Sequence, residues 1–236
     1  MAKLYVIATP IGNMEDISYR AVRLLNEIEV LACEDTRVTK KILSRYEVRF
    51  PTHIFSYHEH NEPRAISRII SHLESEEDVA ICSDAGMPGI SDPGYRLISR
   101  VIEAGHDLDV IPGPSSVHNA LVQSGLPTSS YTFKGFIPRK DGQRQKFFEM
   151  ELEQPHTLVF FESKHRIIKS LNQALAVLGD RYCAVCLELT KKFEQTTRGY
   201  LSEVVAKLEQ SSIKGEITLV IAGNHPKFIR TEHEAS

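Results

Sequence analysis

The chain has 236 residues, with 28 Lys and Arg against 31 Asp and Glu for a formal net charge of −3, 42% hydrophobic and 25% charged. That length carries either one continuous core or two domains of roughly 110 residues, and the composition excludes a wholly disordered chain, a collagen-like chain and a disulfide scaffold. The charge excludes a globally basic nucleic-acid binder and leaves room for a local basic face.

The longest stretch without a formal charge, residues 110–133, holds Pro112, Pro114 and Pro127 among many polar side chains, so it is not expected to cross a bilayer. The opening Met-Ala-Lys runs into the first apolar segment without the basic, apolar and small-residue succession of a secretion signal, so a cytoplasmic protein without membrane association is expected. In that compartment the four cysteines stay thiols.

In chain order, apolar runs of strand length alternate with segments of helical period, which predicts an α/β architecture with a largely parallel sheet. Residues 4–9 read as a buried strand. Ile17, Ala21, Leu24, Leu25 and Ile28 recur at helical spacing, and residues 30–33 form a second strand ending in Glu34-Asp35-Thr36-Arg37. A helix over 63–73, a strand over 79–82 and a Gly- and Pro-rich loop over 83–94 follow. Asp92 is expected to cap the next helix, with Pro93 at its first position. A short strand over 109–111 runs into Pro112-Gly113-Pro114-Ser115-Ser116, which starts a further helix. Beyond it the strands become longer and more aromatic, over 131–136, 157–161, 182–190 and 216–222. The reading is two α/β domains, 1–115 and 116–226, with a polar tail over 227–236 expected to fray.

Cys183 and Cys186 lie three apart in a strand-like run, where they point to opposite faces, and no second Cys/His pair has zinc spacing. His58-Glu59-His60-Asn61 reads as a loop that touches substrate or as a plain solvated loop. The chain has no G-x-x-x-x-G-K-[ST], G-x-S-x-G or G-x-G-x-x-G, so kinase, hydrolase and dehydrogenase readings lose their main support. What remains is a set of turns at the carboxyl ends of first-half strands, the edge where open α/β sheets bind ligands. Glycines there admit close backbone approach, and Ser115 and Ser116 at a helix start suit an anionic group. Two basic segments, Thr36 to Tyr46 and Lys134 to Lys146, read either as solvated helix faces or as contacts for a polyanion.

In order along the chain, the stretches 4–13, 34–37, 56–62, 83–94, 111–116, 124–126, 135–138, 161–163, 188–191 and 214–216 resemble the tetrapyrrole methylase superfamily of S-adenosylmethionine (SAM) enzymes. Within it they resemble the ribosomal RNA small subunit methyltransferase I branch, which methylates a cytidine 2'-hydroxyl in the decoding region. Lys164 and Leu187 depart from the branch pattern. The resemblance implies two α/β domains with SAM in the cleft between them, a homodimer and no metal. It implies SAM contacts from Pro10, Asp84, Gly86, Ile90, Ser91, Ser115 and Ser116, with small-subunit ribosomal RNA or the ribosomal subunit as partner. Glu34, Asp35, Asp84, His58 and His60 are candidates to take or orient the hydroxyl proton, with Arg37 as a phosphate clamp. An internal Asp35–Arg37 pairing at a strand-end cap is the alternative. Arg139, Lys140 and Arg144 are expected to contact RNA. Competing readings are a methylase acting on a tetrapyrrole or protein, and a noncatalytic RNA-binding protein.

Overall fold

The computed structural model describes residues 2–230. The chain divides into two compact units, Met1–Ser115 and Ser116–Ser236. The first alternates five strands, β1 (Lys3–Ile7), β2 (Val30–Cys33), β3 (His53–Ser56), β4 (Val79–Cys82) and β5 (Asp107–Ile111), with α1 (Tyr19–Glu27), α2 (Thr36–Arg45), α3 (Glu62–Glu74) and α4 (Tyr95–Glu103). The strand order is β3-β2-β4-β1-β5, and every pair is parallel.

Parallel strands need crossovers, and these are right-handed. The chain moves outward from β1 through β2 to β3 and then returns to β4 and β5, so the helices of the outward leg, α1 and α2, fall on one face and those of the return, α3 and α4, on the other. Ala21 and Leu25 of α1 and Leu43 of α2 pack with Ile7, Leu31, Cys33, Ala80 and Ile111. Ala65 and Ile69 of α3 and Leu97 and Val101 of α4 pack with Leu4, Val6, Val30, Ala32, Val79 and Ile81. Alternate residues of one strand thus serve two cores, which is why β2 and β4 read as unbroken apolar runs. Each fully buried Leu or Ile contributes about 1.5–3 kcal/mol.

The second unit contains β6 (Tyr131–Phe136), β7 (Thr157–Ser163), β8 (Tyr182–Leu187), β9 (Gln195–Tyr200) and β10 (Glu216–Ile221), with α5 (Ser116–Ser124), α6 (Asp141–Glu149), α7 (Ile167–Leu178) and α8 (Leu201–Glu209). Its order is β6-β7-β10-β8-β9. Here only β6–β7 is parallel, and the other three pairs are antiparallel. The largely parallel sheet expected from the sequence therefore holds for the first unit alone. The segment 188–194 between β8 and β9 is too short for a crossover helix and closes as a hairpin. Leu171, Ala174, Leu201 and Val204 of α7 and α8 cover one sheet face with Phe148 of α6, while α5 packs against β8 and β10. Cys183 and Cys186 are both fully buried in β8.

Two further expectations are corrected. The helix after the Gly-rich loop starts at Tyr95 with Gly94 as its cap, not at Asp92-Pro93. The Pro93 carbonyl accepts the Gly89 amide at 3.1 Å, so the proline closes a turn before the helix begins. Of the tail expected over 227–236, residues 227–230 are tied down: Ile229 bridges to Arg181, and the Arg230 amide donates to the Asp180 carbonyl at 2.9 Å. Residues 231–236 lie outside the described residues. No helix among the described residues is long and apolar enough to cross a membrane.

Candidate active site at the carboxyl edge of the first sheet

The strand order sets His58 after β3, Glu34 and Asp35 after β2, Asp84 after β4, Pro10 after β1 and Ser115 after β5, in that spatial sequence along one edge. The helices leaving β2 and β1 cover one face, and the helix leaving the intervening β4 covers the other. Opposed departures open a crevice at the strand ends.

Backbone bonds lock the turns together. The Thr9 amide donates to the Gly86 carbonyl at 2.9 Å and the Gly86 amide returns the bond at 3.0 Å, while the Thr9 hydroxyl donates to the Ser83 carbonyl at 3.0 Å. Gly86, at φ 83°, meets the demand of this bridge for the left-handed region. Past it, Ser91 also adopts a left-handed φ of 62°, and Ile90 stands 52% exposed. An alanine Cβ at Gly94 would lie 2.8 Å from the Gly89 nitrogen, so this loop closes backbone on backbone.

The turns after β2 and β4 are joined by their acids. The Asp35 amide donates to Oδ1 of Asp84 at 3.0 Å, and the Asp84 amide donates to Oε2 of Glu34 at 3.4 Å. Burial raises the Glu34 and Asp84 carboxyls above their ordinary values, with the neighbouring acids adding to the shift. Asp35 goes the other way. It caps α2 by accepting the Arg37 amide at 2.8 Å and holds the Arg37 guanidinium at 2.6 Å, and hydrogen bonds from Arg37 lower its carboxyl to about 2. The internal Asp35–Arg37 pairing is what the structure contains.

His58 is fixed by Asn61, whose Oδ1 accepts the His58 amide at 2.9 Å while its Nδ2 donates to the Ser56 carbonyl at 2.9 Å. The ring Nδ1 of His58 is buried without a hydrogen-bond partner among the described residues. A buried unpaired polar atom costs about 1–3 kcal/mol, so its retention asks for a use. The sequence places Thr9, Ser83 and Asn61 in these turns but does not disclose the bonds by which they stitch them.

The remaining residues singled out from the sequence lie at the end of this edge or beyond it. Ser115 closes the first unit and Ser116 opens α5. Arg139 and Lys140 are exposed before α6. Arg144 is not available to RNA: it is 1% exposed, donating to Oδ1 of Asp141 at 2.7 Å and to the Arg139 carbonyl at 3.2 Å. Its stem fills the core beneath α6, a role a run of charges in the sequence does not disclose.

A two-faced parallel sheet with glycine turns and desolvated acids at its carboxyl edge defines an α/β enzyme that works at its strand ends. The chain belongs to the family described as Tetrapyrrole (Corrin/Porphyrin) Methylases, whose profile matches residues 3–205. It is similar to proteins named Ribosomal RNA small subunit methyltransferase I: 45% identical to that of Halalkalibacterium halodurans over 95% of this chain and 77% of that one. It is 40% identical to that of Thermotoga maritima over 94% and 99%, and 38% to that of Bacillus subtilis over 99% and 80%. Among solved structures it shares its fold with the methyltransferase CobJ, at TM-score 0.69 and 12% identity over 95% of both chains. It also shares it with uroporphyrin-III C-methyltransferase from Thermus thermophilus complexed with S-adenosylhomocysteine, at TM-score 0.64 and 18% identity over 94% of this chain and 97% of that one.

Proposed function

We propose that this chain is a SAM-dependent methyltransferase whose acceptor is the 2'-hydroxyl of a cytidine in the decoding region of small-subunit ribosomal RNA. The observation that carries the reading is 38–45% identity, over nearly the whole chain, to proteins bearing the small-subunit methyltransferase name. The same reading makes it a cytoplasmic homodimer whose partner is small-subunit ribosomal RNA or the ribosomal subunit.

The edge turns suit SAM. Beside the buried Pro10 and Gly86 turns, Ile90 and Ser91 are exposed, an apolar side chain and a hydroxyl fitting a purine with polar ends, and the Asp84 carboxylate suits hydroxyls or an ammonium. Ser115 and Ser116 complete the proposed set with hydroxyls and amides. When bound, SAM supplies an electrophilic methyl carbon. The chain's own work is to hold the acceptor oxygen in line with it and to take the hydroxyl proton. Glu34 is the base we favour: desolvation makes its carboxylate a better proton acceptor than Asp35, whose charge Arg37 already holds. Asp84 braces the same turn, and His58 takes the role of orienting the ribose in this reading.

The test is incubation with SAM and small subunits from a strain lacking the gene, followed by alkaline cleavage of the extracted RNA. One alkali-resistant bond 3' of a decoding-region cytidine is expected. A methylated but alkali-labile nucleotide would move the acceptor to the base. Methyl transfer to a corrinoid or protein with none to RNA would overturn the reading.

A further inference from the structure

We propose that the carboxyl ends of β6 and β7 form a platform for unpaired RNA nucleotides, with the Phe136 ring stacking on a base and Arg139, Lys140 and Lys164 taking the flanking phosphates. The inference rests on the RNA reading above and gives that substrate a surface.

β6 is the edge strand beside β7, and its register shifts between Phe133 and Phe136. Gly135 sits inside the shift at φ 65°, a conformation glycine adopts without strain. A bulge of this kind re-aims the next side chain, and Phe136 emerges 59% exposed. The ring is nevertheless held in place: it meets Phe161 at 5.4 Å between centroids, and Phe161 meets Phe133 at 4.9 Å. A fixed, exposed ring loses little freedom when a base stacks on it.

The two turns beside this ring are stitched to each other. The Ile137 amide donates to the Phe161 carbonyl at 3.2 Å, and the Arg166 guanidinium reaches the Ile137 carbonyl and the Ser163 hydroxyl, both at 3.1 Å. On these turns Arg139, Lys140, Lys164 and His165 are exposed, and none has an ion-pair partner among the described residues. The nearby acids are occupied. Glu162 is buried against Arg166 at 2.5 Å, and Asp141 is shared by Arg144 and Lys169 at 2.7 Å each. Lys134 is turned inward to Glu151 at 2.7 Å. The patch thus joins unneutralised cations to one presented aromatic face, the combination that single-stranded nucleic acid recognises. A paired base keeps its face inside the stack, so the platform selects unpaired nucleotides.

The experiment measures binding of the full chain, by fluorescence anisotropy over a salt series, to a labelled oligocytidylate and to duplex RNA of equal length. Phe136→Leu, which keeps packing on Phe161, is expected to weaken oligocytidylate binding roughly fivefold or more at unchanged salt slope. The triple change Arg139→Gln, Lys140→Gln and Lys164→Gln is expected to reduce the log-log salt slope by roughly 0.7 per lost contact. Lys207→Gln on α8 serves as the unaffected control, and circular dichroism melts confirm that all variants fold. Wild-type affinity and slope in both variants would overturn the platform. So would a preference for duplex, or tight binding of inorganic polyphosphate with Phe136→Leu neutral. RNA binding that depends on these residues without methyl transfer would sink the proposed activity and leave the platform standing, whereas methyl transfer by variants with unaltered binding would do the reverse.

Discussion

The amide of Asp35 donates to the carboxylate of Asp84 at 3.0 Å across two neighbouring parallel strands. The bond ties the start of α2 to the loop after β4. Asp84→Asn retains an acceptor oxygen in this position and Asp84→Ala removes it. We expect Asp84→Ala to lose SAM affinity at least tenfold by calorimetry in a protein that still melts cooperatively, with Asp84→Asn intermediate. Equal affinity in all three would take Asp84 out of the SAM site.

Glu34 separates chemistry from stability. Burial holds its carboxyl above the ordinary value, so the folded state binds that proton more tightly than the unfolded chain does. The resulting stabilisation is present at low pH and is lost as the pH rises from the ordinary carboxylate range through the raised native value. Glu34→Gln mimics the protonated form. It should therefore melt like the wild type at pH 4 and somewhat higher at pH 8, while kcat falls by about 10²–10⁴ through loss of the base. A variant that melts lower at pH 8 and keeps its kcat would leave Glu34 a plain structural cap.

The position of the edge turns is legible in the sequence. Fully buried strands with sharp polar ends, such as Val30–Cys33 and Val79–Cys82, disclose where the edge turns must be. The contact between Asp35 and Asp84 was not legible, because only the insertion of β4 beside β2 brings residues 49 apart together. β3 and β9 escaped notice for a different reason. As edge strands they keep half-exposed or polar residues, among them His53, Gln195 and Arg198, and so lack the apolar run that marks a central strand. Asp92-Pro93 carried the signature of a helix start, but local turn closure by Gly89 overrode it.

Arg144 separates burial from charge counting. Its side chain is enclosed and its cation is held by Asp141 and the Arg139 carbonyl. Arg144→Ala should cost roughly 1–3 kcal/mol in urea denaturation, through lost packing as much as lost charge. In the folded fraction the RNA salt slope should match the wild type. A lowered slope without destabilisation would return Arg144 to the RNA surface.

Gly215 tests how the strand ends of the second unit are closed. It adopts φ 81°, and an added Cβ would fall 2.1 Å from the Glu188 carboxylate. That carboxylate accepts the Glu216 amide at 2.8 Å and Lys191 Nζ at 2.9 Å. Gly215→Ala must both strain the backbone and expel the carboxylate, for a cost of about 2 kcal/mol or more in thermal or urea unfolding. Stability within a few tenths of a kcal/mol of wild type would mean that the turn has another conformation at little cost.

Glu162 and Arg166 hold the turns beside Phe136, and their coupling is measurable. The Glu162 side chain is fully enclosed, accepting the Ser163 amide and the Ser170 hydroxyl at 2.6 Å each and Arg166 Nη2 at 2.5 Å. Removing one member of such a pair leaves the other uncompensated, whereas removing both can be nearly neutral. Glu162→Ala should therefore cost roughly 3–5 kcal/mol. Glu162→Gln should cost less, since it keeps the volume and an acceptor oxygen but sets an amide group among donors. Combining Glu162→Gln with Arg166→Met should recover part of that loss, giving a coupling energy of about 1–3 kcal/mol in a double-mutant cycle. The cycle is best read with a probe specific to the second unit, such as limited proteolysis at the 188–194 hairpin, because two compact units need not unfold together. Additive losses would show that the three donors to Glu162 act independently and that Arg166 contributes only its bonds to Ile137 and Ser163.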